Sequence, residues 1–195
     1  PNAKPFSLFE SNLGGVPTLI WNTLSSGEES FELITEGDEV SKIRESLINA
    51  GSIPISENVW DSLRVTNGVP VYGAEYGEHT NPLESRLRGS ISFDKGCYIG
   101  QEVIVRLDTY RKVQRQLMAL VLSGPATPGD QLTLDERPVG VLTSVSPGLS
   151  GGYVGLGLVE VGKAISGNTL MLESGDVVTT LSDPHFAILT ETSIF

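Results

Sequence analysis

The sequence predicts an α+β region followed, from about Gln116, by a small closed β-barrel or sandwich. Three observations lead there. Helical and strand-like patterns alternate through the first part without a regular βαβ period. From about Gln116 the character changes to short β-prone runs. Between those runs stand Ser-Gly-Pro, Ser-Pro-Gly, Ser-Gly-Gly, Ser-Gly-Asn and Ser-Gly-Asp turn signals. Strands at that spacing favour a closed barrel or a sandwich, and closure removes exposed strand edges.

Val16–Trp21 and Ser30–Ile34 read as antiparallel strands, with Ser25-Ser26-Gly27 in the turn between them. Asp38 is placed to cap a helix whose apolar face is Val40, Ile43, Leu47 and Ile48, closed near Gly51. Ser56 is placed to cap a second helix, with Val59, Trp60 and Leu63 inward and Gly68 at its end. Thr80 and Pro82 suggest a short helical turn, because proline suits a first helical position. Ile91-Ser92-Phe93 reads as a brief strand leading into a loop with the only cysteine, Cys97, followed by a short helix opened by Gly100. Six runs then follow: 117–122, 131–134, 139–145, 153–161, 169–172 and 177–181.

Composition narrows the function. Hydrophobic residues at 39% and charged residues at 19% fit a globular chain, not a disordered one. The net charge of −11 argues against broad nucleic-acid binding, which needs clustered cations to replace counterions along the phosphates. One local exception stands out: Arg86, Arg88, Lys95, Arg106, Arg111, Lys112 and Arg115 fall within one short stretch. That stretch is either a solvated face or an anion pocket. One cysteine excludes an internal disulfide. No apolar run approaches the roughly 20 residues that span a bilayer, so no membrane partner is expected. The N-terminus lacks signal-peptide or transit-peptide character.

Residues 95–102, Lys-Gly-Cys-Tyr-Ile-Gly-Gln-Glu, concentrate the chemistry. A helix N-terminus and the Lys95 ammonium near Cys97 would both favour thiolate, as a nucleophile, redox sensor or soft-metal ligand requires. On spacing alone, a lone cysteine is more often a small buried hydrophobe.

The string Lys95-Gly96-Cys97-Tyr98-Ile99-Gly100-Gln101-Glu102 resembles the K-G-C-Y-x-G-Q-E hallmark of the YgfZ family. These are folate-binding proteins related to the aminomethyltransferase (T-protein) of the glycine cleavage system and implicated in iron–sulfur protein maturation. Asp61-Ser62-Leu63-Arg64 through Tyr72-Gly73 is similar to D-S-L-R-x-x-x-G-x-P-x-Y-G of the wider superfamily. Glu78–Glu84 resembles its E-x-T-x-P-x-E segment, and Ser26–Leu33 its T-G-E-D-G-F-E-L segment. The resemblance implies that residues 1–112 are an incomplete folate-binding α+β region and residues 113–195 the C-terminal aminomethyltransferase-type β-barrel. It further implies tetrahydrofolate or a folate derivative as cofactor, with Arg64, Thr66, Tyr72, Glu84 and Arg115 as contacts. Iron–sulfur client or assembly proteins are the implied partners. The implied compartment is bacterial cytoplasm, or an organelle matrix (mitochondrion or chloroplast) in a eukaryote.

Three functions remain open. In the first, a YgfZ-like assembly or repair factor, Cys97 acts and Gln101 and Glu102 orient its loop by hydrogen bonds. One cysteine cannot hold a cluster alone, since these usually need four protein ligands. The second is a tetrahydrofolate-dependent aminomethyltransferase. Against it, Thr66 stands where the R-x-E-x-G pattern carries a carboxylate, and Leu24-Ser25-Ser26-Gly27-Glu28 replaces G-Y-T-G-E. The third is a non-catalytic folate-sensing or scaffolding module. For Arg115 a folate-tail contact and a rim salt bridge are equally open. His79 and His185 have no metal-ligand companion at useful spacing.

Overall fold

A computed structural model describes residues 6–23, 29–173 and 178–185. The chain divides into two compact units, Pro1–Trp60 and Asp61–Phe195.

In the first unit, β1 (Leu8–Leu13), β2 (Val16–Thr23) and β3 (Ser30–Ile34) form an antiparallel sheet in the order β1-β2-β3. The sequence reading has β2 and β3 but lacks β1. Gly14 and Gly15 form its two-residue turn, both with positive φ (59° and 86°), which suits a tight hairpin. The expected Ser25-Ser26-Gly27 turn lies outside the described residues, as do the first three residues of the Ser26–Leu33 likeness. Helix α1 (Val40–Asn49) is capped by Glu39 with no side-chain bond, so Asp38 is not the cap. Of its expected apolar face only Ile43 is buried; Val40, Leu47 and Ile48 are exposed.

Helix α2 (Glu57–Asn67) begins after Ser56, whose Oγ accepts the Val59 N–H at 3.4 Å, a stretched version of the expected cap. Val59 and Trp60 are exposed; Arg64 and Val65 are the buried residues of this helix. Gly68 ends it in the left-handed conformation (φ 76°). The turn after Thr80 is held by Asn81, whose side-chain oxygen accepts the Leu83 N–H at 2.9 Å. Residues 91–93 form no strand and run as open loop to α3 (Gln101–Thr109).

The second unit is dominated by β4 (Arg115–Leu122), β5 (Gln131–Leu134), β6 (Arg137–Pro147), β7 (Tyr153–Glu160), β8 (Thr169–Leu172) and β9 (Val178–Ser182). All pairs are antiparallel, in the order β4-β7-β6-β5-β8-β9, and β9 pairs back with β4. Alternation along these strands sends Met118, Leu120, Leu122, Leu132, Leu142 and Leu170 into one shared core. A second cluster joins Val65 of α2 to Leu117, Leu156 and Leu158. Full burial of each such side chain contributes about 1.5–3 kcal/mol, so this patch anchors the C-terminal half of α2 on β4 and β7.

Candidate functional site

The segment 61–88, between α2 and the loop leading to α3, carries most of the polar side chains that the second unit buries. Arg64 is its hub. From α2 its side chain reaches β6, where Nη2 donates to Ser144 Oγ at 2.9 Å. Nε donates to Asp61 at 2.6 Å, and Nη1 reaches the Val69 carbonyl and Glu75 Oε2, both at 3.3 Å. Glu75 is wholly buried and also accepts from Ser144 Oγ (2.6 Å) and the Val71 N–H (3.0 Å). Ser85, buried too, donates to the Glu75 carbonyl at 2.6 Å. A buried charge is tolerated when its partners are this complete. The expected ligand contact Arg64 thus has its guanidinium occupied within the protein.

Glu84 and Arg115 form a second pair. Arg115 Nε and Nη2 meet the two Glu84 oxygens at 3.3 and 3.0 Å, a side-by-side arrangement suited to the guanidinium plane. Nη2 also donates to the His79 carbonyl at 3.2 Å. The Leu117 N–H donates to the Glu84 carbonyl at 2.8 Å, tying this loop to β4.

Thr66 is exposed, and its hydroxyl donates back to the Ser62 carbonyl at 2.7 Å. Tyr72 is 71% exposed and packs edge-on against Tyr76 with ring centroids 5.8 Å apart. Its outer face is open for stacking. Among the described residues, Arg64 is separate from Arg115 and Glu84 in its bonding. Thr66, Tyr72 and Cys97 share no hydrogen bond, ion pair or ring contact with that pair either.

Cys97 is exposed in its loop. The Lys95 ammonium sits over the Tyr98 ring, 4.9 Å from its centroid. The Tyr98 hydroxyl is buried without a hydrogen-bond partner among the described residues. Gly96 and Glu102 are exposed. Gly100 caps α3 in the left-handed conformation, φ 87°, and its carbonyl accepts the Ile104 N–H. The expected orienting bonds from Gln101 and Glu102 side chains are absent among the described residues. The loop is tied instead by backbone: Gln101 N–H to the Tyr98 carbonyl at 3.2 Å, and Lys95 N–H to Ser92 Oγ at 3.3 Å. Among the described residues no cluster of acidic, histidine or cysteine side chains is arranged to hold a metal ion, and no helix is long and apolar enough to cross a membrane.

Sequence reasoning missed the part played by Glu75 and by Ser144. Their signal was faint: one carboxylate in a loop, and one serine among the apolar residues of β6.

Residues 2–95 match the GCVT N-terminal domain family. The chain is 37% identical over 157 residues to a chloroplastic protein of Arabidopsis thaliana named as a transferase, covering 80% of this chain and 36% of that one. It is 31% identical over 179 residues to the aminomethyltransferase of Halothermothrix orenii, covering 87% of this chain and 49% of that one. The chain therefore spans about half or less of the length of these relatives. The crystal structure of the glycine cleavage system aminomethyltransferase T from Bartonella henselae superposes with a TM-score of 0.74 at 20% identity. That likeness covers 95% of this chain and 54% of the other, and it concerns the fold. The chain thus resembles aminomethyltransferases in sequence and one of them in fold, and residues 2–95 match the GCVT N-terminal domain.

Proposed function

We propose that this chain is part of a tetrahydrofolate-dependent, aminomethyltransferase-like protein. One observation supports this most: similarity to curated aminomethyltransferases runs through most of the chain, 87% in the Halothermothrix orenii case. In this reading residues 1–112 belong to a folate-binding α+β region and residues 113–195 form its C-terminal barrel domain. The exposed Tyr72 offers a stacking face for a pterin, and Arg115 a cation for a folate carboxylate. Thr66 cannot accept two parallel hydrogen bonds as a carboxylate can, so binding there would be weaker or differently oriented. For a eukaryotic source, an organelle matrix agrees with the chloroplastic relative.

The full-length protein should bind tetrahydrofolate in a calorimetric titration and move an aminomethyl group to it from a loaded carrier protein. No binding at millimolar tetrahydrofolate would overturn the proposal. Binding without transfer would sink its catalytic part and favour a folate-sensing module.

A second reading has its own support. The exposure of Cys97, in a loop resembling the YgfZ hallmark, favours a thiol-dependent role in iron–sulfur protein assembly or repair. A Cys97→Ala protein that sustained the activity of iron–sulfur enzymes as well as wild type would end that reading.

A further inference from the structure

The helices and one tight turn of this chain end in two ways, and the difference points to a ligand. After α1 and α2 the chain turns out through a glycine with positive φ: Gly51 (99°) and Gly68 (76°). In both, paired backbone bonds close the end: Ser52 N–H to Leu47 O with Gly51 N–H to Ile48 O, and Val69 N–H to Arg64 O with Gly68 N–H to Val65 O. This is the common glycine-terminated helix end.

The same paired bonds occur twice more. Lys112 N–H reaches Leu107 O with Arg111 N–H to Asp108 O, and Leu87 N–H reaches Pro82 O with Arg86 N–H to Leu83 O. Here the left-handed residue is an arginine, Arg111 (φ 49°) or Arg86 (φ 57°). A side chain in that conformation costs roughly 1–2 kcal/mol, and such strain gathers at functional positions.

Both arginines line one cleft, together with Arg88, in a protein of net charge −11. Its volume of about 260 Å³ lies below the roughly 300–1,000 Å³ that drug-sized ligands occupy, so it suits a head group. Leu83, Leu107 and Val113 supply an apolar wall. Arg88 pairs with Asp108 and lies over the Phe93 ring, while Arg86 pairs with Asp183. The Arg111 guanidinium has no hydrogen bond or ion pair among the described residues. Two guanidinium groups are thereby held in place and a third is left to meet an incoming anion.

We propose that this cleft binds an oxyanion group, carboxylate or phosphate, with Arg111 as its principal contact. The proposal does not depend on the folate reading, because the cleft is tested without a pterin. Isothermal titration of the full chain with inorganic phosphate and, separately, with tri-γ-glutamate distinguishes the two sources. At least one should bind, and added salt should weaken it. Arg111→Gly is the decisive variant. Glycine suits the left-handed position, so the variant should melt at the same temperature or higher, yet bind the anion roughly tenfold or more weakly. Arg111→Lys, which keeps the charge but loses the fork, should fall between. Binding of neither anion at millimolar concentration, or equal binding by Arg111→Gly, would overturn the proposal.

Discussion

Replacing Glu75 by alanine should be among the most damaging single changes to the second unit. The carboxylate has no exposed surface and serves three donors: Ser144 Oγ at 2.6 Å, Val71 N–H at 3.0 Å and Arg64 Nη1 at 3.3 Å. Its loss leaves a guanidinium only 8% exposed whose remaining anion, Asp61, is half in solvent. Breaking a buried pair from one side costs about 3–5 kcal/mol. The 3.3 Å Arg64 contact is long and Asp61 survives, which puts the cost near the lower end, about 3 kcal/mol. Glu75→Gln keeps the shape and most hydrogen bonds and removes only the charge, for about 1–2 kcal/mol. Urea unfolding followed by circular dichroism, at constant m-value, measures both. The order of stability should be wild type, then Gln, then Ala. A double change, Arg64→Met with Glu75→Leu, should cost less than Glu75→Ala alone, since no charge is then left buried. If Glu75→Ala lies within about 1 kcal/mol of wild type, the network is not what holds segment 61–85 to β6.

Two further outcomes follow from burial. Cys97→Ala should shift stability by less than about 0.5 kcal/mol, and Ellman's reagent should modify the native thiol within about threefold of its rate in urea-unfolded chain. Strong native protection would remove the accessible thiol on which the iron–sulfur reading depends. Leu142→Ala empties a site with no exposed surface in the β4–β9 core and should cost about 2–5 kcal/mol in the same urea assay. A loss under about 1 kcal/mol would show that the core collapses around the gap.

How far the sequence could be read depended on the range of the interactions. The six strands after Arg115 were legible because apolar runs and Gly or Pro turns are local signals. The bulges that shift register at Leu132/Thr133 and Leu142/Ser144 were not, since they exist only relative to a partner strand. Strand β1 escaped because Leu8–Leu13 carries three polar residues at its centre, and only the Gly14-Gly15 pair announced it. The polar network was hidden for a stronger reason. Ser144 lies 69 residues from Glu75 and 80 from Arg64, and no pattern within a window joins them. Family likeness singled out Arg64, Glu84 and Arg115 as ligand contacts without saying that two would pair with each other and the third would be enclosed.

That pairing bears directly on the folate reading. Were a folate carboxylate to displace Glu84, it would strand a side chain only 11% exposed, with the Asn81 N–H as its remaining donor. A cost of that kind would absorb much of what a new charge-assisted bond contributes. Arg115 offers another route. Its Nε and Nη2 hold Glu84, while Nη1 makes no bond among the described residues and the side chain is 39% exposed. A carboxylate can meet Nη1 with the Glu84 pair intact. Glu84 then acts as the brace that fixes the guanidinium plane, and Glu84→Gln should loosen tetrahydrofolate binding less than Arg115→Ala does. The opposite order in the same titration would place the ligand's anion elsewhere.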